Sequence, residues 1–121
     1  MSAAEWLLIA LVGGAGAVAR FVLDAAVSGR AASRFPLGTF AVNISGALVL
    51  GLFAGLALSG EALLVAGTAT IGSYTTFSTW MLESQRLAED SELPGAALNL
   101  VLSLLAGVGA AALGRLIGSH L

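Results

Sequence analysis

The sequence predicts an all-α integral membrane protein that forms one domain over residues 1–121. Hydrophobic residues make up 58% of the chain and charged residues only 10%, whereas soluble domains carry about 25% charged residues. Four apolar stretches are each long enough to cross a hydrocarbon core of about 30 Å as a helix of roughly 20 residues. The connections between them are short, so no separate soluble domain is expected.

The first two predicted spans are about Trp6–Ala26 and Pro36–Leu58. Pro36 lies at the start of the second span, where the missing N–H of proline removes no helical hydrogen bond. The connection Val27–Phe35 carries two arginines. If the helices alternate in direction, one side of the membrane holds more arginine than the other, and the positive-inside rule weakly favours that side as cytoplasmic. The basic residues of the two sides are Arg20, Arg30, Arg34 and Arg86 against Arg115 and His120.

The third predicted span, about Glu61–Arg86, contains the segment Gly67–Thr79 (GTATIGSYTTFST), which is rich in Gly, Ser and Thr. Lipid offers no water to loose backbone groups, so a broken helix is tolerated only where protein or a water-filled path surrounds it. We predict that this helix breaks near its middle, at Gly72–Thr76, and lines a conduction path. Two alternatives are an unbroken helix whose hydroxyls bond the preceding turn and a small-residue face for helix packing.

The fourth predicted span is about Pro94–Ile117, again with proline at its start. The connections Ser59–Gly60 and Leu87–Leu93 are short, and the second is predicted to lie in water because it is acidic. Two GxxxG pairs predict close packing between helices, since small residues let helix backbones approach each other. These pairs are Gly51 with Gly55 and Gly114 with Gly118.

Polar residues at four-residue spacing mark two helix faces. Thr39 and Asn43 share a face of the second span, and a buried amide there needs a partner, either a neighbouring helix or a passing solute. A stripe on the fourth span either lines a path or seats another helix; its residues are Asn99, Ser103, Gly107 and Ala111. Arg20 and Asp24 are four residues apart, a spacing that suits an ion pair.

The pattern of charges disfavours several classes of function. No acidic residue lies at mid-span, where a proton-coupled carrier needs one, and no ring of Asp or Glu is available for a cation pore. The chain has no lysine and no cysteine, so neither a nucleic-acid footprint nor a thiolate metal site is expected. Phe77 and Trp80 are three residues apart, and aromatic ring edges are partially positive. This lining suits a small anion better than a cation.

Taken together, these residues resemble the Fluc (CrcB-type) fluoride channel family over nearly the whole chain. The resemblance is carried by three blocks in order: Gly13-Gly14-Ala15-Gly16-x-x-x-Arg20, then Pro36-Leu37-Gly38-Thr39-Phe40-x-x-Asn43-Ile44-x-Gly46, then Gly72-x-x-Thr75-Thr76-Phe77-Ser78-Thr79.

The resemblance implies a dual-topology dimer of two antiparallel four-helix subunits with two anion pores, in a prokaryotic plasma or inner membrane. It implies passive fluoride efflux rather than enzymatic activity. It also implies a central Na⁺ held by the backbone carbonyls of Gly72 and Thr75. The residues expected along the anion path are Phe77, Trp80, Asn43, Thr39, Ser78, Thr79, Ser103, Asn99 and Arg20.

The chain departs from the family pattern at two positions. Trp80 stands where the family usually has a second phenylalanine, and Asn99 replaces a tyrosine common on the fourth helix. A homodimer is expected, and a heterodimer with a paralogue is compatible with these departures. One competing interpretation is a small four-helix dual-topology multidrug or cation carrier, which needs a mid-span acid that Ala10–Ala19 lacks. A membrane protein with packing motifs alone would leave the Gly72–Thr79 cluster unexplained.

Overall fold

The computed structural model describes residues 1–30 and 35–121, and every regular element within these ranges is helical. Arg34, one of the arginines in the orientation argument, lies outside the described residues. The first two helices are α1 (Ala3–Arg30) and α2 (Leu37–Gly55). The last is α6 (Leu93–Ser119), with Pro94 in its first turn as predicted.

Helices α1 and α2 differ from their predicted bounds for local reasons. Helix α1 begins earlier than Trp6 because Ser2 Oγ accepts the Glu5 N–H at 3.2 Å and so bonds one of the free amides of the first turn. Helix α2 ends at Gly55 rather than Leu58, since Ala57 takes a left-handed backbone conformation with φ of 58°.

The third predicted span is divided into several shorter elements. These are α3 (Gly60–Leu63), a π-helical segment (Leu64–Ile71), α4 (Gly72–Tyr74) and α5 (Ser78–Glu89). The α-helical geometry predicted for the third span is therefore wrong over Leu64–Ile71, which is π-helical. In this segment Thr70 Oγ1 donates to the Val65 carbonyl at 2.8 Å. The two residues are five apart, the same separation as the backbone hydrogen bonds of a π-helix.

Residues 75–77 lie outside the helices, between α4 and α5. Thr75 is extended, with φ −81° and ψ 162°, whereas Gly72 has helical angles of −61° and −36°. Hydroxyl bonding to the preceding turn, the alternative drawn from the sequence, is also present in this region. Ser73 Oγ donates to the Ala69 carbonyl, and Thr75 Oγ1 donates to the Ile71 carbonyl at 3.0 Å.

Among the described residues, three helices are long and apolar enough to cross a membrane: α1, α2 and α6. The predicted third span is absent from this group because its helix is interrupted. Helix α1 has the most exposed apolar surface of the three, with only 6% of its most apolar window buried. Its exposed large side chains include Trp6, Leu7, Leu8, Leu11, Val18, Phe21 and Val22.

The two GxxxG pairs pack α2 directly against α6, as predicted. A Cβ atom added to Gly51 would overlap the Ala111 carbonyl, and one added to Gly114 would overlap the Leu48 carbonyl. Gly55 and Gly118 meet the opposite backbone in the same way. The glycines therefore let the two helix backbones touch, which fixes the frame against which α4 and α5 are placed.

Candidate functional site

The side chain of Asn43 on α2 binds the backbone of Thr76 at two points. Asn43 Nδ2 donates to the Thr76 carbonyl at 2.9 Å, and Asn43 Oδ1 accepts the Thr76 N–H at 2.8 Å. Both polar atoms of this amide are thus engaged with the non-helical residues 75–77. Of the two alternatives for Asn43, the bond to a neighbouring segment is the one that the structure contains.

This double hydrogen bond changes which backbone groups are paired around the interruption. In a continuous α-helix the Thr76 N–H would donate to the Gly72 carbonyl four residues earlier. Here that N–H is taken by Asn43, so the Gly72 carbonyl loses its usual donor. Thr76 Oγ1 in turn accepts the Thr79 N–H at 3.3 Å, which bonds one of the free amides at the start of α5.

Gly46 provides the room for this arrangement on α2. A Cβ atom at position 46 would overlap the Thr75 methyl group and lie 3.3 Å from the Tyr74 ring. The Tyr74 hydroxyl is held by Ser45 Oγ at 2.8 Å. The end of α4 therefore sits directly on the α2 backbone, one turn from Asn43.

Phe77 and Trp80 form an edge-to-face aromatic pair beside Asn43. Their ring centroids are 5.8 Å apart and their planes meet at 79°. Phe77 is 70% exposed, so most of its ring faces away from the subunit. Together with Asn43 and Thr76, the two rings line an open cavity of about 290 Å³ between α2 and α5.

A closed set of hydrogen bonds attaches Trp80 to α6. The indole Nε1–H donates to the Asn99 backbone carbonyl at 3.1 Å, and Asn99 Nδ2 donates to Ser84 Oγ at 2.8 Å. Ser84 Oγ donates back to the Trp80 carbonyl at 2.9 Å. Ser103 Oγ donates to Asn99 Oδ1 at 3.3 Å. Asn99, Ser84 and Ser103 are all buried, so the polar stripe of α6 faces α5 here.

A second cavity, of about 140 Å³, is also lined by Thr76 and contains Arg20. Arg20 Nε is buried without a hydrogen-bond partner, and the predicted ion pair with Asp24 is not formed. Asp24 instead accepts a hydrogen bond from Ser28 Oγ at 3.1 Å, which turns its carboxylate toward the next turn of α1. Thr39 and Thr79 also line this cavity, and Thr39 Oγ1 donates to the Glu83 carboxylate.

The predicted path residues fall into two groups by their hydrogen bonds. In the first group, the polar side chains are hydrogen-bonded within the subunit. These are Asn43, Thr39, Asn99, Ser103 and the Trp80 N–H. In the other group, the side-chain hydroxyls of Ser78 and Thr79 and the Arg20 guanidinium have no hydrogen-bond partner in the described part of the chain, and the Phe77 ring is exposed. The second group is the one free to contact a solute.

Three residues of this arrangement are not among the predicted site residues: Thr76, Ser84 and Glu83. Thr76 acts through its backbone, which no side-chain pattern reveals. Ser84 lies four residues after Trp80 and so shares its helical face, a spacing that could have pointed to it. Glu83 accepts from Thr39 across α2 and α5, a contact between distant parts of the sequence.

Comparison with known proteins places the chain in a family. The family model described as "CrcB-like protein, Camphor Resistance (CrcB)" matches residues 7–115. A Mycolicibacterium paratuberculosis protein named "Fluoride-specific ion channel FluC 2" is 57% identical over 112 residues, covering 93% of this chain and 92% of the relative. "Fluoride-specific ion channel FluC 2" of Mycobacterium tuberculosis strain H37Rv is 51% identical over 115 residues, covering 95% and 91%.

A more distant relative, "Fluoride-specific ion channel FluC 1" of Symbiobacterium thermophilum, is 44% identical over 120 residues and covers 94% of this chain and 97% of its own. The apolar helices and these bacterial relatives define a multi-pass membrane protein of prokaryotic type. The chain belongs to the CrcB family, which confirms the resemblance found from its three sequence blocks.

Proposed function

We propose that this chain is a subunit of a fluoride-selective, passive anion channel that exports cytoplasmic fluoride. The observation that carries the proposal is the Asn43 hydrogen-bond pair on Thr76, which holds residues 75–77 out of helical geometry and leaves Phe77 exposed. The relatives named as fluoride-specific ion channels support the same assignment.

The chemistry of the free groups suits a small anion. A dehydrated anion needs hydrogen-bond donors or partial positive charge to replace its water. The candidate donors are the Arg20 guanidinium and the hydroxyls of Ser78 and Thr79, and the Phe77 ring edge adds partial positive charge. Asn43 has a second amide hydrogen beyond the one bonded to Thr76, and we assign it to the same path.

The proposed channel is an antiparallel dimer with two pores. Phe77 and the apolar face of α1 are exposed on the isolated subunit, so a lone chain would present the Phe77 ring to lipid. A second copy against this side would enclose the path. We propose a homodimer, and measurement of the mass of the detergent-solubilised protein tests it. A monomer that retains fluoride transport would contradict it.

A structural Na⁺ at the dimer centre is part of the same proposal. The donor set fits such an ion, because the Thr76 N–H is diverted to Asn43, which frees the Gly72 carbonyl, and Thr75 lies outside the helix three residues later. Unwound backbone carbonyls are typical Na⁺ ligands in membrane proteins. Two carbonyls from each of two copies would supply four oxygens.

Growth on fluoride tests the proposed function in cells. A bacterium lacking its own fluoride exporters is expected to grow at inhibitory fluoride concentrations when it expresses this chain. The control is the same strain with the Phe77→Ile variant at equal membrane abundance, which is expected to give weaker protection. Absence of protection by the parent chain, despite its presence in the membrane, would contradict the proposal.

A further inference from the structure

The indole of Trp80 lies beside the proposed anion path and is hydrogen-bonded to α6. It lines the cavity of about 290 Å³ that also holds Asn43 and the Phe77 ring. An indole is larger than a phenyl ring and carries an N–H that needs an acceptor when it is buried. In this chain the acceptor is the Asn99 backbone carbonyl on α6, at 3.1 Å.

The Asn99 side chain bonds the helix that carries the indole. Its Nδ2 donates to Ser84 Oγ at 2.8 Å, and Ser84 bonds the Trp80 carbonyl at 2.9 Å. This fixes α5 against α6 one turn from the indole. Asn99 is 1% exposed and its Oδ1 is occupied by Ser103, so the side chain is committed to this contact.

We propose that Asn99 is a positioning residue that keeps the Trp80 indole against α6 and thereby sets the tilt of the Phe77 ring. The two rings meet edge to face at 5.8 Å, so rotation of the indole would displace or collide with the Phe77 ring. With the Asn99 side chain removed, the contact with Ser84 is lost, so α6 no longer holds the carbonyl that the indole bonds in a fixed place against α5. This role rests on the proposed anion channel, in which Phe77 contacts the solute.

A double-mutant cycle between Asn99 and Trp80 tests the role through fluoride efflux from proteoliposomes. Asn99→Ala is expected to lower the flux about tenfold with Trp80 present, the scale of coupling between contacting residues. Trp80→Phe has no N–H to satisfy, so it provides the second background of the cycle, in which its own flux is the reference. In the Trp80→Phe background, Asn99→Ala is expected to change the flux less than about twofold.

Ser84→Ala breaks the same ring of hydrogen bonds while retaining Asn99. If Asn99→Ala does not assemble, Ser84→Ala takes its place, and it is expected to lower the fluoride flux with Trp80 present and to change it little in the Trp80→Phe background. Ser119→Ala is the matched control, because that hydroxyl bonds only the Leu116 carbonyl of its own helix. An equal loss of flux in the Trp80 and Trp80→Phe backgrounds would overturn the positioning role.

Tryptophan emission gives a readout independent of transport. Trp6 and Trp80 are the two tryptophans of the chain, so the Trp6→Phe variant reports Trp80 alone. In that background, Asn99→Ala is expected to shift the emission to longer wavelength and to increase quenching by acrylamide. Unchanged emission would overturn the proposal. If the parent carries no fluoride, the channel assignment fails, whereas the emission shift still decides whether Asn99 holds the indole.

Discussion

Asn43 and Thr76 are joined by two hydrogen bonds, one to the N–H and one to the carbonyl of the same residue. A single side chain therefore replaces both helical partners of a backbone unit in a region predicted to lie at membrane depth. Without it, Thr76 would leave two polar groups unpaired, at about 1–3 kcal/mol each. The amide of Asn43 explains why residues 75–77 can stay outside helical geometry.

We expect Asn43→Leu to reduce fluoride flux by at least about tenfold while the dimer still assembles. Leucine cannot bond Thr76, so residues 75–77 lose their fixed geometry at a cost of about 1–3 kcal/mol per unpaired group. The α2–α6 contact does not depend on Asn43, because the glycines make it. The measurement is proteoliposome flux together with detergent mass.

The matched control for this variant is Ser45→Ala, which removes a polar group two residues away that bonds Tyr74 and not Thr76. It is expected to keep most of the flux. An Asn43→Leu protein that assembles and conducts like the parent would show that the amide is not needed for the path.

We expect Phe77→Ile to lower fluoride flux by about tenfold. The substitution keeps an apolar side chain but removes the ring edge, whose interactions are worth up to about 1.5 kcal/mol. A difference of 1.4 kcal/mol is a factor of ten. Phe53→Ile is the same change ten residues along α2 from Asn43, roughly 15 Å away. Equal flux in the Phe77 and Phe53 variants would remove the ring edge from the path.

The packing of α2 on α6 predicts opposite effects for two glycines of the same helix. Gly114→Ala is expected to destabilise the protein by about 1–3 kcal/mol, because its Cβ meets the Leu48 carbonyl. Gly109→Ala is expected to be neutral or stabilising by up to about 1 kcal/mol, since nothing lies within 4 Å and alanine favours helix. Thermal unfolding in detergent measures both. Equal melting temperatures for the two variants would contradict the packing.

Replacement of Na⁺ by a large organic cation is expected to lower the thermal stability of the dimer or its fluoride flux. The reason is the proposed oxygen cage of Gly72 and Thr75 carbonyls, which only a small cation fits. Replacement of Na⁺ by K⁺ is expected to have a smaller effect in the same direction. No change in either property across the three salts would argue against a cation at this place.

The sequence predicted the overall fold well because its signals are local. Apolar runs identified α1, α2 and α6, and the GxxxG spacing predicted close helix packing, which the structure places between α2 and α6. The π-helical geometry of Leu64–Ile71 was missed. It is accompanied by a hydrogen bond from the Thr70 hydroxyl to the Val65 carbonyl, and the same residue types also fit an ordinary α-helix.

The candidate site was predicted in its residue types but not in their partners. Asn43 and Asn99 were singled out, yet each left an open choice between holding a segment and meeting a solute. For Asn43 the choice depends on its contact with Thr76, which is 33 residues away in the sequence. For Asn99 it depends on the contact with Ser84, which is 15 residues away. Arg20 and Ser28 are each four residues from Asp24, and the carboxylate bonds Ser28 rather than Arg20, a choice that spacing alone does not predict.

The most direct test of the channel assignment is fluoride efflux from proteoliposomes that contain this chain alone, measured with a fluoride-selective electrode against chloride efflux. We predict rapid, passive fluoride release that needs no proton gradient or second protein, with little chloride release. The Phe77→Ile protein at the same density serves as the matched control. Fluoride release no faster than from empty liposomes, or equal release of chloride, would contradict the assignment.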